Sequence, residues 1–175
     1  RVHYVGIDNP AAGRTAGTLM GRFLAGRRGV VGLIAGSMAL RDHAERHFGF
    51  HQVASTEFAG LTILPPAEGR DDSARNEALT LELLRRHPDL VGIYNIGAGN
   101  RGIAKALEAA GAARRVVWIA HELTPHTRSF LLSGTLAALI NQDAGHEARS
   151  AARVLLAQCT GEPILAEQER IRIEV

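Results

Sequence analysis

The residues able to do chemistry stand at the ends of short apolar runs. Asp8 and Asn9 follow Ile7, and Gly36 and Ser37 follow Ala35, with Arg41 and Arg46 a little further on. Arg70-Asp71-Asp72 comes after the run that ends at Leu64, and Asn95 follows Tyr94. His121 and Glu122 follow Ala120, while Asn141, Gln142 and Asp143 follow Ile140. Carboxylates, amides and a guanidinium offer paired donors and acceptors, which suits a ligand covered in hydroxyl groups. No nucleophile stands beside a base in this set, and that favours binding over catalysis.

The elements that must position these groups follow from periodicity. The runs Val2–Ile7, Val30–Ala35, Leu61–Leu64, Val91–Ile96, Val116–Ala120 and Leu136–Ile140 are nearly continuous in apolar residues, as expected of strands covered on both faces. Between them lie stripes at helical spacing: Ala12, Ala16, Leu19, Met20, Phe23 and Leu24, then Ala74, Ala78, Leu81 and Leu84, then Ile103, Ala106, Leu107 and Ala110. A last stripe holds Ala148, Ala151, Ala152, Leu155 and Leu156. Gly26, Gly29, Gly111 and Gly161 are expected to stop helices, and Pro88 in His87-Pro88-Asp89 closes another. Strand alternating with helix predicts βαβ units: an α/β fold with a doubly wound parallel sheet in a three-layer αβα arrangement. Its ligands would bind beyond the carboxyl ends of the strands. Pro65 to Asp72 reads as the one long polar connection, and Ile171 to Val175, alternating strictly, as an exposed edge strand.

Composition narrows the class further. At 175 residues, 46% hydrophobic and 22% charged, the chain has the make-up of a globular domain with a sizeable core. All but one of its 20 basic residues are Arg, the exception being Lys105. They are scattered and mostly accompanied by acids, so no DNA-reading stripe stands out. One cysteine, Cys159, excludes an internal disulfide framework and reads as a small residue near a helix end. No apolar run reaches the ~20 residues of a membrane span. The opening Arg1-Val2-His3-Tyr4-Val5-Gly6-Ile7 reads directly as a strand, so a fragment of a longer protein is expected.

Three motifs admit other chemistry. Gly97-x-Gly99-x-x-Gly102 after a strand, with Glu122 at the next strand's end, matches a dinucleotide fingerprint. It stands mid-chain behind several βα units and leaves no separate catalytic segment. His43, His47 and His51 are spaced four apart like metal ligands, but Gly49 is expected to weaken the helix between them and no further ligand supports the set. Ser37 lies near His43 without a Gly-x-Ser-x-Gly elbow. The pairs Arg27-Arg28, Arg85-Arg86 and Arg114-Arg115 fit solvated helix ends.

Five motifs occur in order: Asp8-Asn9-x-x-x-Gly13, Ala44-Glu45-Arg46-x-x-Gly49-Phe50, His87-Pro88-Asp89, Glu122-Leu123-Thr124-Pro125 and Leu136 to Asp143. Together they resemble the second half of the sugar-sensing core of lac-repressor-type transcription regulators, which is shared with periplasmic sugar-binding proteins. The resemblance implies a type I periplasmic-binding-protein-like fold of two lobes joined by three crossing strands, with a sugar, polyol or related metabolite between them. By it, Arg46 binds ligand hydroxyls, Glu122 takes the place of an accepting acid, and His121 occupies a position often held by a ring-stacking aromatic. Gln142 matches a hinge-adjacent amide, and Asp8 falls where the first crossing enters the second lobe. Asn95, in Asn95-Ile96-Gly97, stands where the family has an Asn-Asp pair. Residues 9–140 would form the C-terminal lobe, with 1–8 and 141–175 supplying crossing segments and part of the other lobe. The expected protein is a cytoplasmic, homodimeric regulator that needs no cofactor and meets DNA through a head outside this chain. The alternative is a transporter's periplasmic solute-binding protein, and an NAD-dependent enzyme ranks behind both. The last helix's apolar stripe is expected to be covered by a second copy of the chain.

Overall fold

The apolar runs become strands and the stripes between them helices. In chain order the elements are β1 (Gly6–Ile7), α1 (Asn9–Leu24), β2 (Gly29–Ala35), α2 (Arg41–Glu57), β3 (Leu61–Ile63), β4 (Ala67–Glu68), α3 (Ser73–Arg86), β5 (Leu90–Asn95), α4 (Asn100–Ala109), β6 (Val117–His121), α5 (Pro125–Ser133), β7 (Ala138–Gln142), α6 (Ala144–Thr160), β8 (Arg170–Ile171) and β9 (Ile173–Glu174). The computed structural model describes residues 3–164 and 170–175, so Val2 of the first expected strand lies outside the described residues. The chain divides into two compact units, Asn9–Ile140 and Arg1–Asp8 with Asn141–Val175.

The larger unit is a parallel sheet in the order β3-β2-β5-β6-β7 with helices on both faces. The order reverses between β2 and β5, which creates a switch point at their carboxyl ends. One face carries an apolar core in which Ile34, Ile93 and Trp118 of the sheet meet Ile103 and Leu107 of α4 and the partly buried Leu79, Leu83 and Phe130. On the other face α1 and α2 lie against each other. A side chain at Gly13 would strike the backbone of Arg46 and Phe50, and one at Gly49 the backbone of Pro10 and Arg14. Bare glycine backbones therefore let the two helices touch. Gly49 is a contact point and not a helix breaker, and α2 runs unbroken to Glu57.

The same contact shifts the phase of the buried stripe. α1 buries Asn9, Ala12, Gly13, Ala16, Gly17, Met20, Gly21 and Leu24, while Phe23 points outward. In α3 the fully buried positions are Asn76 and Thr80, and Ala74, Ala78 and Leu81 are exposed. Both stripes differ from the expected ones because small and polar residues, which carry no apolar signal, occupy the innermost positions. Gly29 opens β2 and packs on Asp89 and Val91 in place of ending a helix. Pro65 and Pro66 split the edge of the sheet: β3 pairs with the start of β2, and β4 resumes pairing at Ile34–Ala35. Arg27 and Arg115 are more than solvated ends, since each donates to a backbone carbonyl, of Arg115 and Leu90 respectively.

In the smaller unit β1 pairs in parallel with β8, and the last residues of β7 pair antiparallel with β9. The tail is thus not one exposed edge strand. It breaks at Arg172 into two pieces that pair with different partners, and Ile171 is buried. α6 buries Ser150 and Val154, whereas Leu155 is 66% and Leu156 62% exposed. Cys159 is exposed in the last turn of α6.

Candidate functional site

The carboxyl ends of β2, β5 and β6 carry two layers of polar groups, one sealed and one open. The sealed layer lies toward α1 and α2. Strand alternation sends Tyr94 and His121 to that face, because Ile93, Trp118 and Ala120 take the opposite one. Arg46, 6% exposed, donates from Nε to Oδ1 of Asn9 (2.8 Å) and from Nη1 to the Ile96 carbonyl (3.1 Å). Tyr94 stacks on Phe50 at 4.7 Å between ring centroids, and its hydroxyl lies 2.8 Å from Nε2 of His121. Burial pushes the Tyr94 phenol far above its ordinary pKa, against the opposing pull of Arg46. Burial also holds the His121 imidazole well below its ordinary value, and the charges of Arg46 and His43 act in the same direction. The ring is therefore neutral and covered, with 1% exposure, where a stacking platform needs an open face.

The open layer is built by three loops. After β2, Glu68 Oε1 accepts from the Met38 amide (2.6 Å) and the Ser37 hydroxyl (3.3 Å), while Nδ1 of His43 accepts the Ser37 amide. Ser37 and His43 are thereby committed to loop structure and do not form a nucleophile–base pair. After β4, Gly69 and Arg70 donate to the carbonyls of Ala35 and Gly36, and Asp72 caps α3 by accepting from the Arg75 amide. After β6, Glu122 turns the chain, and Thr124 begins α5 with a reciprocal Thr124–Thr127 capping box and Pro125 in the first turn. Thr127 also donates to the Glu122 carbonyl (2.7 Å).

Asn95 lies beneath this layer and organises it. Its amide nitrogen donates toward the carbonyls of Gly97 and Ala98 and toward Oδ1 of Asn100, and Asn100 in turn donates to the His121 carbonyl. The result is a cleft of about 190 Å³ whose lining includes Asp71, Ser73, Asn100, His121, Glu122 and Thr127. Among the described residues, four non-glycine positions have left-handed backbone, and three of them gather here: Asp71 and Glu122 line the cleft and Arg70 precedes Asp71 in the chain. Such strain persists only where the surroundings enforce it, and it gathers at functional sites.

The glycine fingerprint has a structural explanation here. A side chain at Gly97 would collide with the Asp71 carboxylate and with Gly36, Gly99 adopts φ 76 at the start of α4, and Gly102 packs on Ser73 and Glu77. Asp71 Oδ1 already accepts the Ala98 amide (2.7 Å), so a carboxylate occupies ground that a pyrophosphate would need. His47 and His51 pair on the surface of α2 with centroids 6.0 Å apart, whereas His43 is buried. Burial, and then the charge of His51, lowers the pKa of His47. Among the described residues no group of three or more potential metal ligands is gathered.

Of the six residues singled out from sequence, Arg46 and His121 share the sealed layer. Asn95 supports the loop that bears Asn100, and Glu122 reaches the cleft. Asp8, exposed after β1, and Gln142, at the end of β7, belong to the smaller unit. Asn9 and Asp71 stand in the strand-end set read from sequence without a role assigned to them, and Asn100 is a site member that the sequence reading lacks. The signal for Asp71 is its place in the long polar connection from Pro65 to Asp72, after an apolar run.

This is a doubly wound α/β lobe with a polar cleft at the carboxyl ends of its strands and a polar platform beneath it. The chain belongs to the periplasmic binding protein domain family, whose model matches residues 1–163. It is similar to a glucose-galactose binding protein from Geobacillus stearothermophilus, with 24% identity and a TM-score of 0.91 over 99% of this chain and 62% of that one. An ABC transporter solute-binding protein from Burkholderia graminis in complex with D-arabinose gives 25% identity and a TM-score of 0.87, over 100% and 62% of the two chains. A periplasmic solute-binding protein from Actinobacillus succinogenes with bound D-allose gives 21% and 0.85, over 94% and 58%. The chain thus spans about three-fifths of the length of these proteins. No curated protein matches it. Among the described residues no helix is long and apolar enough to cross a membrane.

Proposed function

We propose that this chain is part of a receptor for a monosaccharide or closely related polyhydroxy metabolite, bound at the carboxyl ends of β2, β5 and β6. The observation that carries the reading is the cleft where Asp71, Asn100 and Glu122 stand together on a rim without a nucleophile–base pair. Its volume of about 190 Å³ lies below the roughly 300 Å³ at which drug-sized pockets begin, and it suits a small ligand. In this reading Glu122 accepts from ligand hydroxyls. Arg46, Asn95 and His121 hold the rim from beneath. For Asp8 and Gln142 a ligand role is proposed on the family resemblance alone.

The host protein is proposed to be a solute-binding component of a sugar transporter, working outside the cytoplasmic membrane. Its support is that similar structures are described as binding glucose and galactose, D-allose or D-arabinose. The second reading is a cytoplasmic, dimeric sugar-responsive regulator with a DNA-binding head outside this chain. It is supported by the five motifs running in order from Asp8 to Asp143. The gene segment encoding the residues before Arg1 separates the two: a secretion leader selects the transporter component, a helix-turn-helix the regulator.

A thermal-shift panel of pentoses, hexoses and polyols tests the binding reading. At least one is expected to raise the melting temperature in a concentration-dependent way. A flat response to the whole panel removes the sugar receptor. Nicotinamide cofactors are expected to give no shift, and a rise with one of them would reinstate the enzyme.

A further inference from the structure

Two consecutive residues, Arg70 (φ 54) and Asp71 (φ 57), adopt left-handed backbone although neither is glycine. Each such residue is held against an intrinsic preference for other backbone regions. The loop is fastened to the end of β2 by the Gly69 and Arg70 amides, and the next residue, Asp72, already serves as the cap of α3. Asp71 is therefore not needed for capping. The turn swings its carboxylate across the switch point, over Gly36 and Gly97, two positions where a side chain would collide with it. There Oδ1 accepts the Ala98 amide at 2.7 Å, the one hydrogen bond found for this side chain among the described residues. A carboxylate has about four lone-pair sites, so this one bond leaves accepting capacity on an exposed side chain that lines the cleft. Glu122, with φ 72, lines the same cleft. Three basic residues stand nearby, Arg101 and His126 in the lining and Arg70 beside Asp71 in the chain, and all three are exposed to solvent.

We infer that Asp71 is a specificity-determining residue of the rim. It accepts a hydroxyl or ammonium group of the ligand and rejects ligands bearing a phosphate or carboxylate at that position. The site then takes neutral or amino sugars and excludes sugar phosphates and uronic acids. This rests on the sugar-receptor reading above. Like charges a few ångströms apart at a partly shielded surface repel strongly enough for at least about a tenfold difference in affinity.

The test is calorimetric titration of the full chain with matched sets built on glucose, galactose and arabinose. Each set comprises the neutral sugar and its phosphate, and the two hexose sets add the amino sugar and the uronic acid. For any scaffold that binds, the neutral or amino form is expected to bind at least about tenfold more tightly than its anionic relatives. Asp71→Asn is expected to close most of that gap while circular dichroism stays native. A wild-type control needs no variant: raising the salt from about 0.01 M to about 1 M shortens the Debye length and should narrow the same gap. Equal or tighter binding of the anionic forms overturns the inference and leaves the sugar receptor standing. So does a gap that neither salt nor Asp71→Asn changes. Failure of every compound to bind removes the receptor reading itself, and this inference with it.

Discussion

Arg46 and Asp71 are both charged, and both stand at the same end of the same sheet, yet the structure uses them in opposite ways. Arg46 is sealed between α1, α2 and the loop after β5, giving two of its five N–H donors to Asn9 and Ile96. Asp71 is exposed on a strained turn and has one hydrogen bond, to the Ala98 amide, among the described residues. The sealed layer, which also holds Tyr94 and His121, is where polarity serves stability. The open rim of Asp71, Asn100 and Glu122 is where it serves recognition in the proposed receptor. Residue type does not separate the two layers. Burial does.

The contrast breaks first at Arg46. Arg46→Ala removes the guanidinium donors from the buried oxygens of Asn9 and Ile96, and each lost bond to a charged donor costs about 1.5–3 kcal/mol. A loss of about 3 kcal/mol in urea unfolding is expected, and any fall in ligand affinity should accompany it. An unchanged midpoint would move Arg46 from the sealed layer to the rim.

Acid probes the same layer without mutation. The folded-state pKa of His121 is depressed, so below the unfolded value of about 6.5 the unfolded chain binds the proton that the folded chain refuses. His121 therefore destabilises the fold progressively as pH falls below about 6.5, with a slope of up to ~1.4 kcal/mol per pH unit, and has no effect well above it. His47 adds to the same trend. Urea midpoints measured between about pH 5 and pH 8 should show this slope, and His121→Gln should flatten it.

Smaller effects sharpen the distinction. Tyr94→Phe keeps the stack on Phe50 but removes the hydroxyl from His121, for an expected loss of about 1 kcal/mol by thermal unfolding. Glu122→Gln, on the rim, should alter stability by no more than about 0.5 kcal/mol. It should nonetheless weaken sugar binding about tenfold or more, as read by titration calorimetry. A rim variant that unfolds, or a sealed-layer variant that loses only affinity, would erase the boundary between the layers.

The neighbouring elements show where sequence reading succeeds and where it slips. Val30 to Ala35 and Val91 to Ile96 are legible as strands because both faces of a central parallel strand are buried and the apolar signal is continuous. The buried faces of α1 and α3 are shifted from their apolar stripes, because Gly13, Gly17, Asn76 and Thr80 fill positions where close backbone approach or a hydrogen bond replaces apolar bulk. His121 reads as part of a rim because it ends a strand. Alternation, counted back through Ile119, already points its ring toward Tyr94.

The sequence by itself determined the alternating architecture, the sheet end at which polar groups gather and the loops that supply them, since all three follow from hydrophobic period and chain order. Only the tertiary structure decided which of those groups are buried within the fold and which stand on the open rim. That choice depends on contacts between segments far apart in the chain, such as Arg46 with Asn9 and Ile96, or Asp71 with Ala98. Local spacing encodes where a side chain starts, whereas its partners are set by what the folded sheet brings within about 3 Å of it.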